Sequence, residues 1–450
     1  MEVVAKSCND YENVALRADP TFVGVEELIE LLKNFIREKG LCIYGGLAID
    51  YALRLHGDEI YPADMLQVDY DFFSPDNVEH AYDCADMFYE VVKRVHGEEA
   101  AAGVRAINAL HVKTMRVDIR DNHFLADITY CPAGVFEKLP TLTYDGMKII
   151  HPDMQRIDIH SSLTFPYDNA PTEVLFNRWK KDITRFNLLA EYYPLLSAGD
   201  VELPAGKVEI PKLPYVICGL TAYGLIYETI REKYNDIPAD ILAPAGANSV
   251  RSAVKQYIIG DVFEIVHMNP AKCIEELKLA HCRKYRPLIN MIPETVTGMA
   301  EFGKVCIDDT SGRLVSIVST DLGGRTYRIV SAQYLLKQFL AFHHRGRMSG
   351  ENSNLYLNLY VSTMKLIEFE HGKNDPLPIT RLSVVTYGAE NVNLSKEVAI
   401  RRVLTDIGQA ASDYLPSNYY PAKRVADLPR IKYDLSRNVL FKESGEEYGE

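Results

Sequence analysis

Asp69 and Asp71 stand one residue apart in an aromatic, apolar run, QVDYDFFSP at 67–75. Val68, Tyr70, Phe72 and Phe73 favour a strand, and on a strand residues i and i+2 share a face. The spacing therefore predicts two carboxylates side by side. Unpaired, they would repel and one would take up a proton. A divalent cation between them removes that conflict. Carboxylate oxygens suit Mg²⁺ or Mn²⁺, and an open site of this kind also accepts phosphates. Asp127, the acid inside the apolar stretch FLADITY, is a third candidate. Three carboxylates from two neighbouring strands are enough to hold two metals. Such a pair can activate an attacking hydroxyl and steady a leaving pyrophosphate.

Gly45 and Gly46 supply a complementary feature. They follow the short apolar segment LCIY (41–44) and open a helical pattern, LAIDYALRLHG. Glycine lets a backbone approach a ligand closely, and a helix N-terminus favours negative charge. A triphosphate fits there. Each feature alone has an ordinary explanation: a solvated strand face, a tight turn, a stray acid. In this order and at this spacing they resemble the polymerase-β nucleotidyltransferase superfamily, with its Gly-Gly or Gly-Ser turn, D-x-D and a third Asp on a later strand.

Those residues need positioning elements. Leu28, Leu31, Leu32, Phe35 and Ile36 recur at helical spacing within 23–39, and Gly40 follows as a C-cap. Ser74-Pro75-Asp76 reads as a helix start, with Ser74 as N-cap and Pro75 at N1. Ala81, Ala85, Phe88 and Val92 form its core face. Strands are expected around 110–119 and 123–131. The stretch 192–214 carries four prolines and reads as linker. The whole has 450 residues and a formal net charge of −13, which argues against indiscriminate binding of nucleic acid over the surface. Eight scattered cysteines form no C-x-x-C pair, so buried free thiols are expected. No run of 18 apolar residues suggests a membrane span, and the acidic N-terminus does not resemble a secretory signal.

LCIYGGLAIDYALRLHG, VDYDFFSPDNVEHAYDCAD, LHVKTMRV, ADITYCP, PTLTYDGMKIIHPDMQRIDIH and RWKKDITRFNLL narrow the likeness. They resemble the poly(A) polymerase catalytic subunits of large cytoplasmic DNA viruses, the asfarvirus type more than the poxvirus type, strongly over about 25–195. The resemblance implies template-independent addition of AMP from ATP to mRNA 3′ ends, in the host cytoplasm at the viral factory, or packaged in the virion. Asp69, Asp71 and Asp127 would hold two Mg²⁺ or Mn²⁺ ions, with Asp127 a candidate proton acceptor. Gly45 and Gly46 would face the triphosphate. A homodimer, or a viral processivity or capping subunit, is a candidate partner. Other terminal nucleotidyltransferases, uridylyl- or CCA-adding, and a non-enzymatic scaffold for RNA or protein are the alternatives.

The expected fold class is α/β, or α+β: a polymerase-β-type domain with a mixed sheet flanked by helices, then a degenerate copy. The divisions are an N-terminal helical segment (1–39), a catalytic domain (40–195), a linker (196–213), the copy (214–415) and an irregular tail (416–450). The copy rests on three echoes. VICGLTAYGLI (216–226) parallels IYGGLAIDYAL, VFEIVHMNPAKCIEEL (262–277) parallels DYDFFSPDNVEHAYDC, and TYRIVSAQYLLKQFLAF (326–342) parallels MKIIHPDMQRIDIHSSL. In these echoes Cys218 replaces one glycine, Val262 falls at Asp69, Glu264 near Asp71 and Cys306 near Asp127. For an RNA or ATP phosphate path, Arg178, Lys181 and Arg185 share one face of a helix whose apolar face is Trp179, Ile183 and Phe186. Arg156, Lys113 and Arg116 could add to it.

Overall fold

The computed structural model describes residues 23–61, 69–109, 114–119, 124–131, 133–164, 172–195, 216–238, the strands and helices between 263 and 374, 419–423, and a few single positions. These fall into two compact units, dividing between Gln155 and Arg156, with the segment around Tyr419 returning to the first. The predicted linker at 196–213 lies outside the described residues.

The first unit opens with α1 (Val25–Lys39), which buries Leu28, Leu32 and Ile36 along one stripe. Gly40 ends it at φ 63°, and the Leu41 N–H returns to the Ile36 carbonyl. Then follow β1 (Cys42–Ile43), α2 (Gly45–Arg54), β2 (Tyr70–Ser74), α3 (Asn77–His96), β3 (Arg105–Asn108), β4 (Thr114–Asp118), β5 (Phe124–Tyr130), β6 (Thr141–Tyr144) and β7 (Met147–Ile150). The sheet order is β3-β4-β5-β2-β1-β7-β6. The β2–β5 and β1–β7 pairs are parallel and the other four antiparallel, so the sheet is mixed. Phe72, Ile128, Met115, Ala126 and Val117 are buried on alternate positions of the central strands. The apolar stripe of α3, Ala81, Cys84, Ala85 and Phe88, packs over β2–β5.

Two local expectations shift. Ser74 is the last residue of β2, not an N-cap, and α3 begins at Asn77. The Ser74 hydroxyl still serves the junction, accepting from the Asp76 N–H at 2.9 Å and bonding His80 Nδ1 at 2.7 Å. The β6–β7 hairpin was not anticipated. Its turn is Asp145 (φ 47°) and Gly146 (φ 72°), and this Asp-Gly dipeptide was the available signal. From the tail, Tyr419 pairs with Ala106 on edge strand β3, stacks on Tyr82 at 4.4 Å and donates to Asp86 at 2.7 Å. That pairing covers backbone groups an edge strand would otherwise expose.

The boundary falls inside α4 (Pro152–Thr164). Beyond it come α5 (Thr172–Tyr192), β8 (Val216–Ile217), α6 (Gly219–Lys233), β9 (Phe263–His267), β10 (Lys284–Ile289), β11 (Val296–Phe302), β12 (Val305–Asp309), β13 (Ile317–Leu322), β14 (Arg325–Val330), α7 (Ala332–Ser349) and α8 (Asn354–His371). The division lies earlier than the proline-rich stretch because the residues after Gln155 bond within the second unit. Arg156 reaches the Leu189 carbonyl, and His160 reaches Gln333 and Tyr360.

The second sheet runs β10-β11-β12-β9-β8-β14-β13. Strand for strand this is the order of the first sheet, and each pair keeps its direction. The register moves the first echo by one residue. Cys218 has the backbone of Tyr44 (φ −129°, ψ −170° against −131°, −172°), and Gly219, at φ 62°, stands where Gly45 does. Glu264 pairs with Cys306, as Asp71 pairs with Asp127. Val262 lies outside the described residues.

His160 is buried, with Nε2 2.8 Å from the Tyr360 hydroxyl and Nδ1 3.3 Å from Gln333. Burial lowers its pKa to about 4; the charge of Arg156 adds to this and the Gln333 bond opposes it. The unfolded chain takes up its proton near pH 6.5, before the folded one does. Stability is therefore expected to fall by about 3 kcal/mol between pH 6.5 and 4 through this group. His160→Gln should flatten that part of a urea-midpoint-against-pH curve.

Candidate active site

Strand register places the chemistry. Asp71 pairs with Asp127 across β2 and β5, and Asp127 pairs with Arg116 across β5 and β4. The three side chains form a row on one face of the sheet, the face opposite Phe72, Ile128 and Met115. Neighbouring strands are roughly 4.8 Å apart, so Asp71 and Asp127 are adjacent. The next row is Phe73, Thr129 and Thr114. Tyr44 covers it, stacking on Phe73 at 4.2 Å and bonding Thr129 Oγ1 at 2.8 Å. Asp69 stands just before β2 and is exposed, Asp71 is half-buried and Asp127 is buried.

Gly45 fits closely against this row. It has φ 71°, and a Cβ built there would lie 2.6 Å from Asp71 Oδ2. The Tyr44 N–H donates to the Asp71 carbonyl at 2.9 Å, which joins the turn to the strand. Gly46 follows as the second residue of α2 and is buried. The start of α2 thus lies beside the acids, as the Gly-Gly turn suggested.

Arg116 departs from expectation. Sequence reading put it on a phosphate-contacting surface with Lys113, whose position lies outside the described residues. Instead its Nε and Nη2 donate to the two Asp127 oxygens at 2.8 and 2.6 Å. Burial disfavours the charge on Arg116. The bonds to Asp127 and the charges of Asp127, Asp69 and Asp71 outweigh burial, and the guanidinium pKa is raised.

Among the described residues no three His, Cys, Asp or Glu side chains close into a metal cage. Asp71 and Asp127 come together, and Asp69 is exposed. An all-oxygen, open donor set beside a close backbone approach still suits a hard divalent cation that draws its remaining ligands from phosphates and water.

The basic path fares unevenly. Arg156 is corrected: it is 1 % exposed and donates to the carbonyls of Leu189, at 2.6 Å, and Tyr193 at the end of α5. It satisfies a helix terminus and presents no charge to a polyanion. Lys181 is exposed, whereas Arg185 is largely buried 3.8 Å from Asp182. Ile183, expected on the apolar face, is 50 % exposed, while Asp182 is buried. The side chains of Arg178 and Trp179 lie outside the described residues.

Sequence reasoning also missed Asp50. It is buried in α2 and accepts from Arg54 Nε at 2.6 Å, the Ile60 N–H at 2.7 Å and the Tyr61 N–H at 2.9 Å. It thereby pins the segment that leads toward Asp69. A lone acid in an otherwise apolar helix was its signal. Asp50→Ala is expected to cost about 2–3 kcal/mol, since it leaves two amides without their acceptor and removes one partner of the half-buried Arg54. Asp50→Asn should cost less. Thermal unfolding, with hydrogen exchange at the Ile60 and Tyr61 amides, measures both.

The mixed sheet, the glycine turn and the paired acids describe a nucleotidyltransferase. A sequence-family profile for the poly(A) polymerase catalytic subunit matches residues 30–169. African swine fever virus proteins named "Putative poly(A) polymerase catalytic subunit" are similar over nearly the whole length. The Badajoz 1971 strain's protein is 32% identical, covering 97% of this chain and 96% of its own. That of the Malawi isolate is 40% identical at the same coverage. A mimivirus protein of the same name is 23% identical over 78% of this chain and 63% of its own. Among solved structures, Megavirus polyadenylate synthase has the same fold, with a TM-score of 0.66 at 19% identity, covering 99% of this chain and 90% of that one. This chain belongs to the family of viral poly(A) polymerase catalytic subunits. ATP and a divalent metal are what that family implies.

Proposed function

We propose that this chain is a template-independent poly(A) polymerase that transfers AMP from ATP to the 3′ end of mRNA and releases pyrophosphate. The observation that carries the reading is the in-register Asp71–Asp127 pair set against Gly45, in a chain of this family. Asp69, Asp71 and Asp127 would hold the divalent ions. Those ions, when bound, supply the Lewis acidity that makes the 3′-hydroxyl a nucleophile and charge to steady the pyrophosphate. The N-terminus of α2, beginning at Gly45, offers backbone N–H groups to the phosphates. Both Asp127 oxygens are engaged by Arg116.

The second sheet is read as a nucleotidyltransferase-like copy without catalytic capacity. Glu264, Cys306 and Glu301 stand in register where Asp71, Asp127 and Arg116 stand in the first. It would serve RNA or a protein partner, either a second copy of the chain or a processivity or capping subunit. Action in the host cytoplasm follows from the same reading. Among the described residues no helix is long and apolar enough to cross a membrane.

The test is primer extension on a short RNA with each NTP separately and Mg²⁺ or Mn²⁺, the Asp69→Ala/Asp71→Ala variant beside the wild type. ATP-selective growth abolished in the double variant is expected. Growth with UTP alone keeps the site and replaces the substrate. No growth from folded wild type, with or without added partner, overturns the reading.

A further inference from the structure

We propose that Arg116 is a built-in competitor of the divalent cation: its guanidinium already engages both Asp127 oxygens and sets a like charge against any metal that binds there. The inference rests on the metal-site reading above and concerns what a metal meets at that site. Both Asp127 oxygens already accept from Arg116, at 2.8 and 2.6 Å. The Asp127 carboxylate is 10% exposed and the Arg116 side chain 26%, so solvent weakens the pair only in part. The β4–β5 register sets Arg116 directly opposite Asp127, and β2 sets Asp71 on the other side of it. All three acids act on this one guanidinium.

Carboxylates placed this close repel one another, and positive charge among them offsets that repulsion. Arg116 supplies it from within the sheet. A cation sharing Asp127 meets a like charge at contact distance, so each disfavours the other. Arg116 is thus a positioning residue. It holds Asp127 in place and tunes how readily the site fills.

Mn²⁺ binding to the full-length protein, read by electron paramagnetic resonance without ATP or RNA, tests this. Arg116→Gln is expected to bind about tenfold more tightly than wild type (~1.4 kcal/mol). Arg116→Lys, which keeps the charge but makes one bond where arginine makes two, should fall between them. A second measurement uses wild type alone, so folding of the variant is not at issue. Mg²⁺ should increase modification of Arg116 by phenylglyoxal, followed by mass spectrometry. Unchanged or weaker Mn²⁺ binding by a folded Arg116→Gln protein overturns the inference, as does Mg²⁺ that leaves Arg116 equally or less reactive. Wild type that binds no Mn²⁺, or binds it regardless of Asp71→Asn, overturns the metal-site reading and the inference with it.

Discussion

Asp71→Asn is expected to lower AMP incorporation at least about 10³-fold, the upper end of what one electrostatic contact in a reacting site is worth, while leaving the protein folded. Asparagine matches aspartate in shape but cannot bring the negative charge a divalent cation needs. The link between the turn and β2 survives, because it runs from the Tyr44 N–H to the main-chain carbonyl of residue 71. The Arg116–Asp127 pair survives too. Removing one of the clustered acids relieves repulsion, so unfolding should stay within roughly 1 kcal/mol of wild type. Asp127→Asn should behave differently. It loses activity and also the bidentate partner of a part-buried arginine, at a cost of about 1–3 kcal/mol. Primer extension and thermal unfolding on both variants separate the two positions. Comparable activity in Asp71→Asn would remove Asp71 from the reaction.

What could be read from the chain was local and periodic. The stripe of α1, its stop at Gly40, the strand–glycine–helix turn and the lone acid of β5 each lie within a dozen residues. There the 3.6- and 2-residue periods and the turn chemistry act directly. What could not be read depends on register between distant segments. Nothing near Arg116 says that it will face Asp127, because that follows from how β4 pairs with β5. Arg156 looked like one more basic residue, and only its closeness to the end of α5 turns it into a cap. Ile183, expected on the apolar face, is half exposed for a similar reason: the helical period fixes which residues share a face, not which face is buried.

The duplicated sheet shows the same limit. Short apolar echoes pointed to the second sheet, but their alignment slid by one residue at the turn. Apolar residues are interchangeable at that resolution, whereas a left-handed φ is not. Gly219 and Gly45 match because each begins a helix at positive φ after an extended residue. The two sheets differ in the residue types at matched register positions: Asp71 and Asp127 in one, Glu264 and Cys306 in the other.

Gly45→Ala is the second variant expected to have a large effect, and its cause can be isolated. Two costs coincide at Gly45. Its φ of 71° is strained for any residue with a Cβ, by about 1–2 kcal/mol. The added methyl would also lie 2.6 Å from Asp71 Oδ2, inside contact distance, so the carboxylate or the turn must move. Gly57 separates these terms. Its φ is 84° and a Cβ there meets nothing within 4 Å. Gly57→Ala should therefore lose about 1–2 kcal/mol of stability and keep its polymerase activity. Gly45→Ala should lose at least as much stability and, in addition, about 10²-fold or more in AMP incorporation, because a misplacement near 1 Å at a reacting centre is worth that much. Thermal unfolding and primer extension on the two variants decide between strain and displacement. Equal activity in both would mean that the close fit of Gly45 to Asp71 has no part in catalysis. A selective loss in Gly45→Ala would show that the turn sets the position of the carboxylate.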